Sequence, residues 1–192
     1  MIDGGDGNDE IETRDGQDII YGGAGNDRIK SGKGNDFVDG GSGDDEIQGE
    51  EGNDILLGGT GNDTIEGGIG RDVIIGGLGA DSLDGQEDDD LLIAGTTAFD
   101  HNYQALGAIL SEWTSTRSQP ERVANLRGIG SGPRANGNIF LTTSGPNATV
   151  FDDNDVDLLT GASGLDWFFA KLSGAGSQDR IRDRKDGDTV GG

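Results

Sequence analysis

Aspartate returns every nine residues through the first half of the chain, at Asp9, Asp18, Asp27, Asp36, Asp45, Asp54, Asp63, Asp72, Asp81 and Asp90. Each closes a glycine-rich stretch, so each carboxylate stands beside several backbone carbonyls. Carboxylate and carbonyl oxygens are the donor set of a hard cation, and Ca2+ accepts about six to eight of them at about 2.3–2.6 Å. The fourth residue of nine units is glycine (Gly7, Gly16, Gly25, Gly34, Gly43, Gly52, Gly61, Gly70 and Gly79), Asp88 alone departing. Glycine there permits backbone angles that a side chain would forbid.

The carboxylates are carried by ten consecutive nine-residue units running from Gly4 to Ile93 without insertion or deletion. Two residues after each aspartate comes a branched aliphatic: Ile11, Ile20, Ile29, Val38, Ile47, Leu56, Ile65, Ile74, Leu83 and Leu92. A fixed period of this kind marks a solenoid, and the units read as turns followed by short strands. Side chains alternate along a strand, which points the eighth residue inward and the seventh and ninth outward. One inward side chain per unit is a thin core, because ordering the backbone costs about 1–2 kcal/mol per residue. The metal-free repeats are therefore expected to be disordered. A flexible linker would not keep the aliphatics in register.

The unit, G-G-x-G-N-D or a near version of it followed by x-aliphatic-x, resembles the repeats-in-toxin (RTX, hemolysin-type) calcium-binding nonapeptide, and the resemblance covers about half of the chain. It implies a mostly β fold: a right-handed parallel β-roll (β-solenoid) over residues 1–95, followed by a mixed α/β C-terminal capping region over residues 96–192. Two units make one coil, so ten units make about five coils, and the gaps between coils hold roughly eight Ca2+ ions. The resemblance places carboxylate ligation on the ten sixth-position aspartates. It places carbonyl ligation on the turn residues, here Gly5, Gly7, Gly23, Gly25, Gly32, Gly34, Gly41, Gly43, Gly59, Gly61, Gly68, Gly70, Gly77 and Gly79. Arg14, Glu50 and Gln86 replace the second glycine, and the last unit opens Gly85-Gln86-Glu87-Asp88-Asp89-Asp90, so an irregular last turn is expected.

Charge supports a cation as the partner. Residues 4–93 hold 24 acidic and 5 basic side chains, a net of −19, whereas residues 94–192 hold 12 and 9, a net of −3. An acidic block lacks the basic footprint that nucleic acid or an anionic membrane surface requires. There is no cysteine, so no disulfide can reinforce a small core. The start carries no signal-peptide pattern, and no apolar run approaches the roughly 18 residues of a membrane span. Asp3–Asp6 is already repeat-like, so the chain is expected to begin inside a longer protein.

A second period lies within the first. The outward residues of odd units are polar: Glu10 and Glu12, Arg28 and Lys30, Glu46 and Gln48, Thr64 and Glu66, Ser82 and Asp84. Those of even units are apolar except Asp39: Ile19 and Tyr21, Phe37, Ile55 and Leu57, Val73 and Ile75, Leu91 and Ile93. Even strands share one sheet, so one face of the roll is wet and the other greasy. Such a stripe exceeds what a soluble monomer leaves exposed. It is covered by the C-terminal half, or it binds a protein partner or a second copy of the chain.

The C-terminal half holds both tryptophans. Tyr103, Leu106, Leu110 and Trp113 share one helical face, predicting a helix over about residues 100–116 with Asp100 as N-cap. Ser118 and Glu121 have capping-box spacing with Pro120 in the first turn, and Gly128 ends the short helix that follows. Asn136-Gly137 predicts a turn into a strand over residues 139–142. Residues 161–169 fit the nonapeptide with alanine second, an eleventh, isolated turn and strand with Asp166 as a candidate ligand. The acidic run Asp152, Asp153, Asn154, Asp155 and Asp157 lacks the glycine and final glutamate of an EF-hand loop and reads as a solvated turn.

No catalytic constellation is found. His101 is the sole histidine, which excludes a multi-histidine zinc site, and it reads as a surface residue. Neither Ser131 nor Ser163 lies in a nucleophile elbow. The expected function is that of a calcium-binding C-terminal module of a secreted protein, not an enzyme in itself. The resemblance implies type I export and calcium-induced folding outside the cell, in a secreted, extracellular or cell-surface setting, with weak sites on the order of 10⁻⁴ M. Two alternatives stand beside it: an adhesive or surface-layer module using the apolar sheet, and the tail of a secreted protease or lipase with its catalytic domain upstream.

Overall fold

The computed structural model describes residues 1–171 and 178–191. An initial strand, β1 (Ile2–Asp6), precedes ten strands supplied one per repeat. These are β2 (Glu10–Glu12), β3 (Ile19–Ala24), β4 (Arg28–Lys30), β5 (Phe37–Ser42), β6 (Glu46–Glu51), β7 (Ile55–Thr60), β8 (Thr64–Ile69), β9 (Val73–Leu78), β10 (Ser82–Glu87) and β11 (Leu91–Ile93). Odd and even units separate into two parallel sheets, each residue pairing with the one 18 positions on, as Ile20 does with Val38 and Ile47 with Ile65. The repeats thus wind as a β-roll with two units to a coil.

The eighth-position aliphatics meet between the sheets. Ile20, Ile29, Val38, Ile47, Leu56, Ile65, Ile74, Leu83 and Leu92 are completely buried, and Ile11 at the open end is nearly so. Gly34 shows why the turns need glycine. Its φ is +133°, and a Cβ there would collide with the Gly16 carbonyl of the preceding coil. The expected irregularity of the last turn is absent from its backbone. Gln86 and Asp88 adopt φ of 71° and 72°, standing in for glycines in the left-handed region, and Gly164 of the next coil stacks on the Asp88 carbonyl. Glu50 does the same at φ 72°.

After β11 the chain forms β12 (Thr96–Thr97), helix α1 (Tyr103–Trp113), helix α2 (Gln119–Leu126) and β13 (Val150–Phe151), which pairs antiparallel with β12. It then rejoins the roll. Strands β14 (Leu158–Thr160) and β16 (Arg180–Ile181) extend the odd sheet beyond β10, and β15 (Trp167–Phe169) and β17 (Thr189–Gly191) extend the even sheet beyond β11. Residues 161–169 are therefore not isolated: Leu91, Leu92 and Ile93 pair with Trp167, Phe168 and Phe169. The C-terminal half supplies an inserted helical cap and two more coils.

The cap lies on the greasy face. Phe37, Ile55, Leu57, Val73, Ile75, Leu91 and Ile93 form one buried cluster with Leu106, Ile109, Trp113, Val123, Leu126, Leu141 and Val150. Trp167 and Phe169 belong to the covered sheet rather than to its cover. The buried face of α1 is Ala105, Leu106, Ile109, Glu112 and Trp113, rotated from the expected one. Tyr103 stays half exposed at the rim, its ring edge-on to Phe37 at 5.1 Å. Asn102, not Asp100, caps α1, because the Asp100 carboxylate is taken by the Thr97 N–H at 2.9 Å. Helix α2 carries the expected capping box, the Ser118 N–H donating to Glu121 at 3.0 Å. The turn at residues 135–138 forms, but residues 139–142 run as a loop, anchored by the Leu141 N–H on the Leu126 carbonyl at 2.8 Å and by the Thr149 N–H on the Thr142 carbonyl at 2.8 Å.

Polar contacts fix the cap to the last repeat turn. Buried Arg122 pairs with Asp89 and donates to the Trp113 carbonyl at 2.6 Å. The Trp113 indole N–H reaches the Asp89 carbonyl at 2.7 Å. His101 is exposed.

Candidate metal centre

The turn between two strands ends on the sixth-position aspartate, and the parallel stacking of coils puts these residues in two columns. Within each column one carboxylate oxygen, Oδ1, accepts the backbone N–H of the aspartate 18 residues earlier. Asp45 accepts from Asp27 at 2.7 Å, Asp63 from Asp45 at 2.8 Å, Asp54 from Asp36 at 2.8 Å and Asp72 from Asp54 at 2.8 Å. The same bond links every successive pair from Asp9 and from Asp18 up to Asp81 and Asp90. Asp27 through Asp90 are buried, whereas Asp9 and Asp18, at the open end, are only partly so.

The second oxygen is left over. In nine of the ten, all but Asp18, Oδ2 is buried and has no hydrogen-bond partner among the described residues. Apart from Asp36, whose unit opens with Ser31, and Asp90, it faces the first glycine of its own unit and a carbonyl of the next coil: a Cβ on Gly22 would lie 2.5 Å from both Asp27 Oδ2 and the Gly40 carbonyl oxygen. A buried, unpaired carboxylate oxygen costs several kcal/mol unless a proton or a cation compensates it. With carbonyl oxygen beside it and no nitrogen or sulfur donor, the arrangement fits a hard divalent ion. Among the described residues no three acidic, histidine or cysteine side chains converge on one point.

Burial shifts several of these carboxylates toward their protonated form. Burial, reinforced by neighbouring aspartates, pushes Asp54 up to about 8, Asp81 to about 8, Asp45 to about 7 and Asp63 to about 6. Burial also raises Asp36, Asp72 and Asp90. Since the folded form binds more protons than the unfolded chain, their contribution to metal-free stability is present near pH 4 and lost as pH rises through about 6–8. Chelated protein is therefore expected to be more ordered at pH 4 than at pH 8.

Two features escaped the sequence. At the fifth position, a side-chain ladder runs the opposite way, the Asn26 N–H donating to Asn8 Oδ1 at 3.0 Å and the Asn53 N–H to Asn35 Oδ1 at 3.0 Å. The recurrence of asparagine there was its signal. The sixth-position columns also continue past the repeats. The Asp81 N–H donates to Asp157 at 2.7 Å and the Asp90 N–H to Asp166 at 2.9 Å, then Asp157 to Asp179 at 3.2 Å and Asp166 to Asp188 at 3.1 Å. Asp157, Asp179 and Asp188 each precede an x-aliphatic pair, but the spacing of nine survives only within Asp157–Asp166 and Asp179–Asp188. Asp157 is thus buried and not part of a solvated turn. Asp179 and Asp188 end the columns, for their second oxygens accept the Lys171 N–H at 2.7 Å and the Lys185 N–H at 2.6 Å. Burial pushes Asp166 up to about 7, in line with the repeat aspartates.

A family model described as the RTX calcium-binding nonapeptide repeat matches in four copies, over residues 3–38, 31–65, 39–74 and 66–96. No curated protein and no solved structure matches the chain.

Proposed function

The repeat-bearing half of this chain, residues 3–96, belongs to the RTX calcium-binding nonapeptide repeat family, and from that premise we propose that the chain is the calcium-folded module of a secreted protein. Such a roll is a structural calcium-binding module and not a catalytic one. In this reading the sixth-position aspartates bind the ions through Oδ2, while Oδ1 keeps the coils in register. The turn glycines, among them Gly5 and Gly7, Gly23 and Gly25, and Gly41 and Gly43, lend their carbonyls. Bound calcium neutralises the buried carboxylates and cross-links successive coils. Four gaps per side give roughly eight ions within the repeats.

The observation that carries the reading is the row of buried Oδ2 atoms with no hydrogen-bond partner among the described residues. It supports coupled binding and folding. In a calcium-poor cytosol the acidic repeats stay unfolded, a form suited to type I export, and outside the cell they fold on extracellular or cell-surface calcium. The adhesive alternative drew on a bare apolar sheet, and α1, α2 and residues 139–150 cover that sheet. Residues 1–95 and strands β14–β17 act as one roll.

Calorimetric counting of bound calcium tests the assignment. Replacing Asp54 by alanine is expected to remove about one or two ions, raise the calcium needed for folding by at least about tenfold, and leave the distant N-terminal coils able to bind. An unchanged count and midpoint would sink the assignment of the aspartates as ligands.

A further inference from the structure

The roll is broken at one point, and the break brings together a site that the repeats do not contain. After β11 the chain follows the next turn only as far as Ala94 and Gly95, leaves it for the cap, and returns through Asp153–Asp157 to finish that turn before β14. Ala94 takes the place of a first-position glycine. A Cβ on Gly76 would lie 2.5 Å from the Ala94 carbonyl oxygen and press on Asp81 Oδ2, just as one on Gly58 would lie 2.6 Å from the Gly76 carbonyl and press on Asp63 Oδ2. Asp157 takes the place of the sixth-position aspartate, accepting the Asp81 N–H at 2.7 Å. Asp81 and Asp157 are 2 % and 1 % exposed, and the Oδ2 of each is buried with no hydrogen-bond partner among the described residues. At the rim a carboxylate replaces a carbonyl: the Gly79 N–H donates to Asp153 at 2.8 Å, where the Gly61 N–H one coil earlier donates to the Leu78 carbonyl at 2.8 Å.

We propose that this split turn is a divalent-cation site of the calcium class, formed by the carboxylates of Asp81 and Asp157 and the carbonyl of Ala94, with Asp153 at its rim. Ala94 and Asp157 stand on opposite sides of the inserted cap, so a cation held by both closes the insertion and ties cap order to calcium. The donors are all oxygen, which selects a hard ion over zinc or copper. The nearby ammonium of Lys171 is engaged elsewhere, at 2.7 Å from Asp152 and 2.9 Å from Asn154. The proposal rests on the calcium reading of the repeats but adds a site whose second half lies outside them.

The test uses the full chain and calcium itself, with two readouts: the number of ions bound, and protection of residues 96–156 from limited proteolysis as calcium is raised. Asp157→Asn keeps an acceptor for the Asp81 N–H but loses the charge. It is expected to bind one ion fewer and to need at least about tenfold more calcium to protect the cap. The roll's circular dichroism should still appear with calcium. An unchanged ion count and protection midpoint would overturn the proposal. Should Asp157→Asn not fold even at saturating calcium, Asp153→Asn decides by the protection midpoint, which rises if the site exists and stays put if it does not. Wild-type protein that binds no calcium at all would instead refute the underlying reading of the repeats.

Discussion

In chelator at neutral pH and low salt, the chain is expected to show the circular dichroism of a largely disordered protein, and in millimolar calcium to become rich in β-structure. The reason lies in what the coils bury. Each repeat places one aliphatic in the interior, and in nine of the ten the aspartate two residues before it buries a carboxylate oxygen with no hydrogen-bond partner among the described residues. One buried aliphatic is a thin return on ordering the backbone of nine residues. Burial of the carboxylates adds a desolvation penalty at a pH where they would otherwise be ionised, and a net charge of −19 over residues 4–93 adds repulsion. Calcium removes the last two costs together. Magnesium at the same concentration is expected to fail, because it demands compact octahedral geometry and sheds its waters reluctantly. A metal-free protein that is fully folded at low salt would sink the coupled-folding reading.

A fragment ending at Gly95 is expected to fold only partly even with calcium, and to aggregate or bind a hydrophobic dye, whereas the intact chain does neither. Removing residues 96–192 uncovers Phe37, Ile55, Leu57, Val73, Ile75, Leu91 and Ile93, all of which are at most 4 % exposed in the intact chain. It also deletes β15, leaving β11 as an open edge. At roughly 25 cal/mol per Å² of apolar surface, a face this wide favours association strongly. Adding back the cap through Val150 should suppress dye binding, since Leu106, Ile109, Trp113, Val123 and Leu126 supply the cover. Adding only the Trp167–Phe169 strand should not, because that strand prolongs the sheet instead of covering it. A calcium-loaded fragment that stays monomeric and binds no dye would show that the cap is not needed to shield this face.

The repeats could be read in one dimension because every contact that matters there is between residue i and residue i+18. An unbroken period of nine therefore carries the strands, the inward aliphatics, the two aspartate columns and the split into a wet and a greasy sheet. Periodicity also located the need for left-handed turns, though not that Gln86 and Asp88 would adopt them, since a stacked neighbour such as Gly164 holds them there. Local capping chemistry was equally legible at Ser118 and Glu121, where both partners lie within one turn. Tertiary structure decided the rest. Which face of α1 is buried depends on the sheet it meets, and that turned it toward Ile109 and left Tyr103 at the rim. Asp157 joined the column only because the chain returns to it after an excursion of some sixty residues, a long-range closure that no spacing announces. Asp89 became an anchor for Trp113 and Arg122 for the same reason: its partners are near in space and remote in sequence.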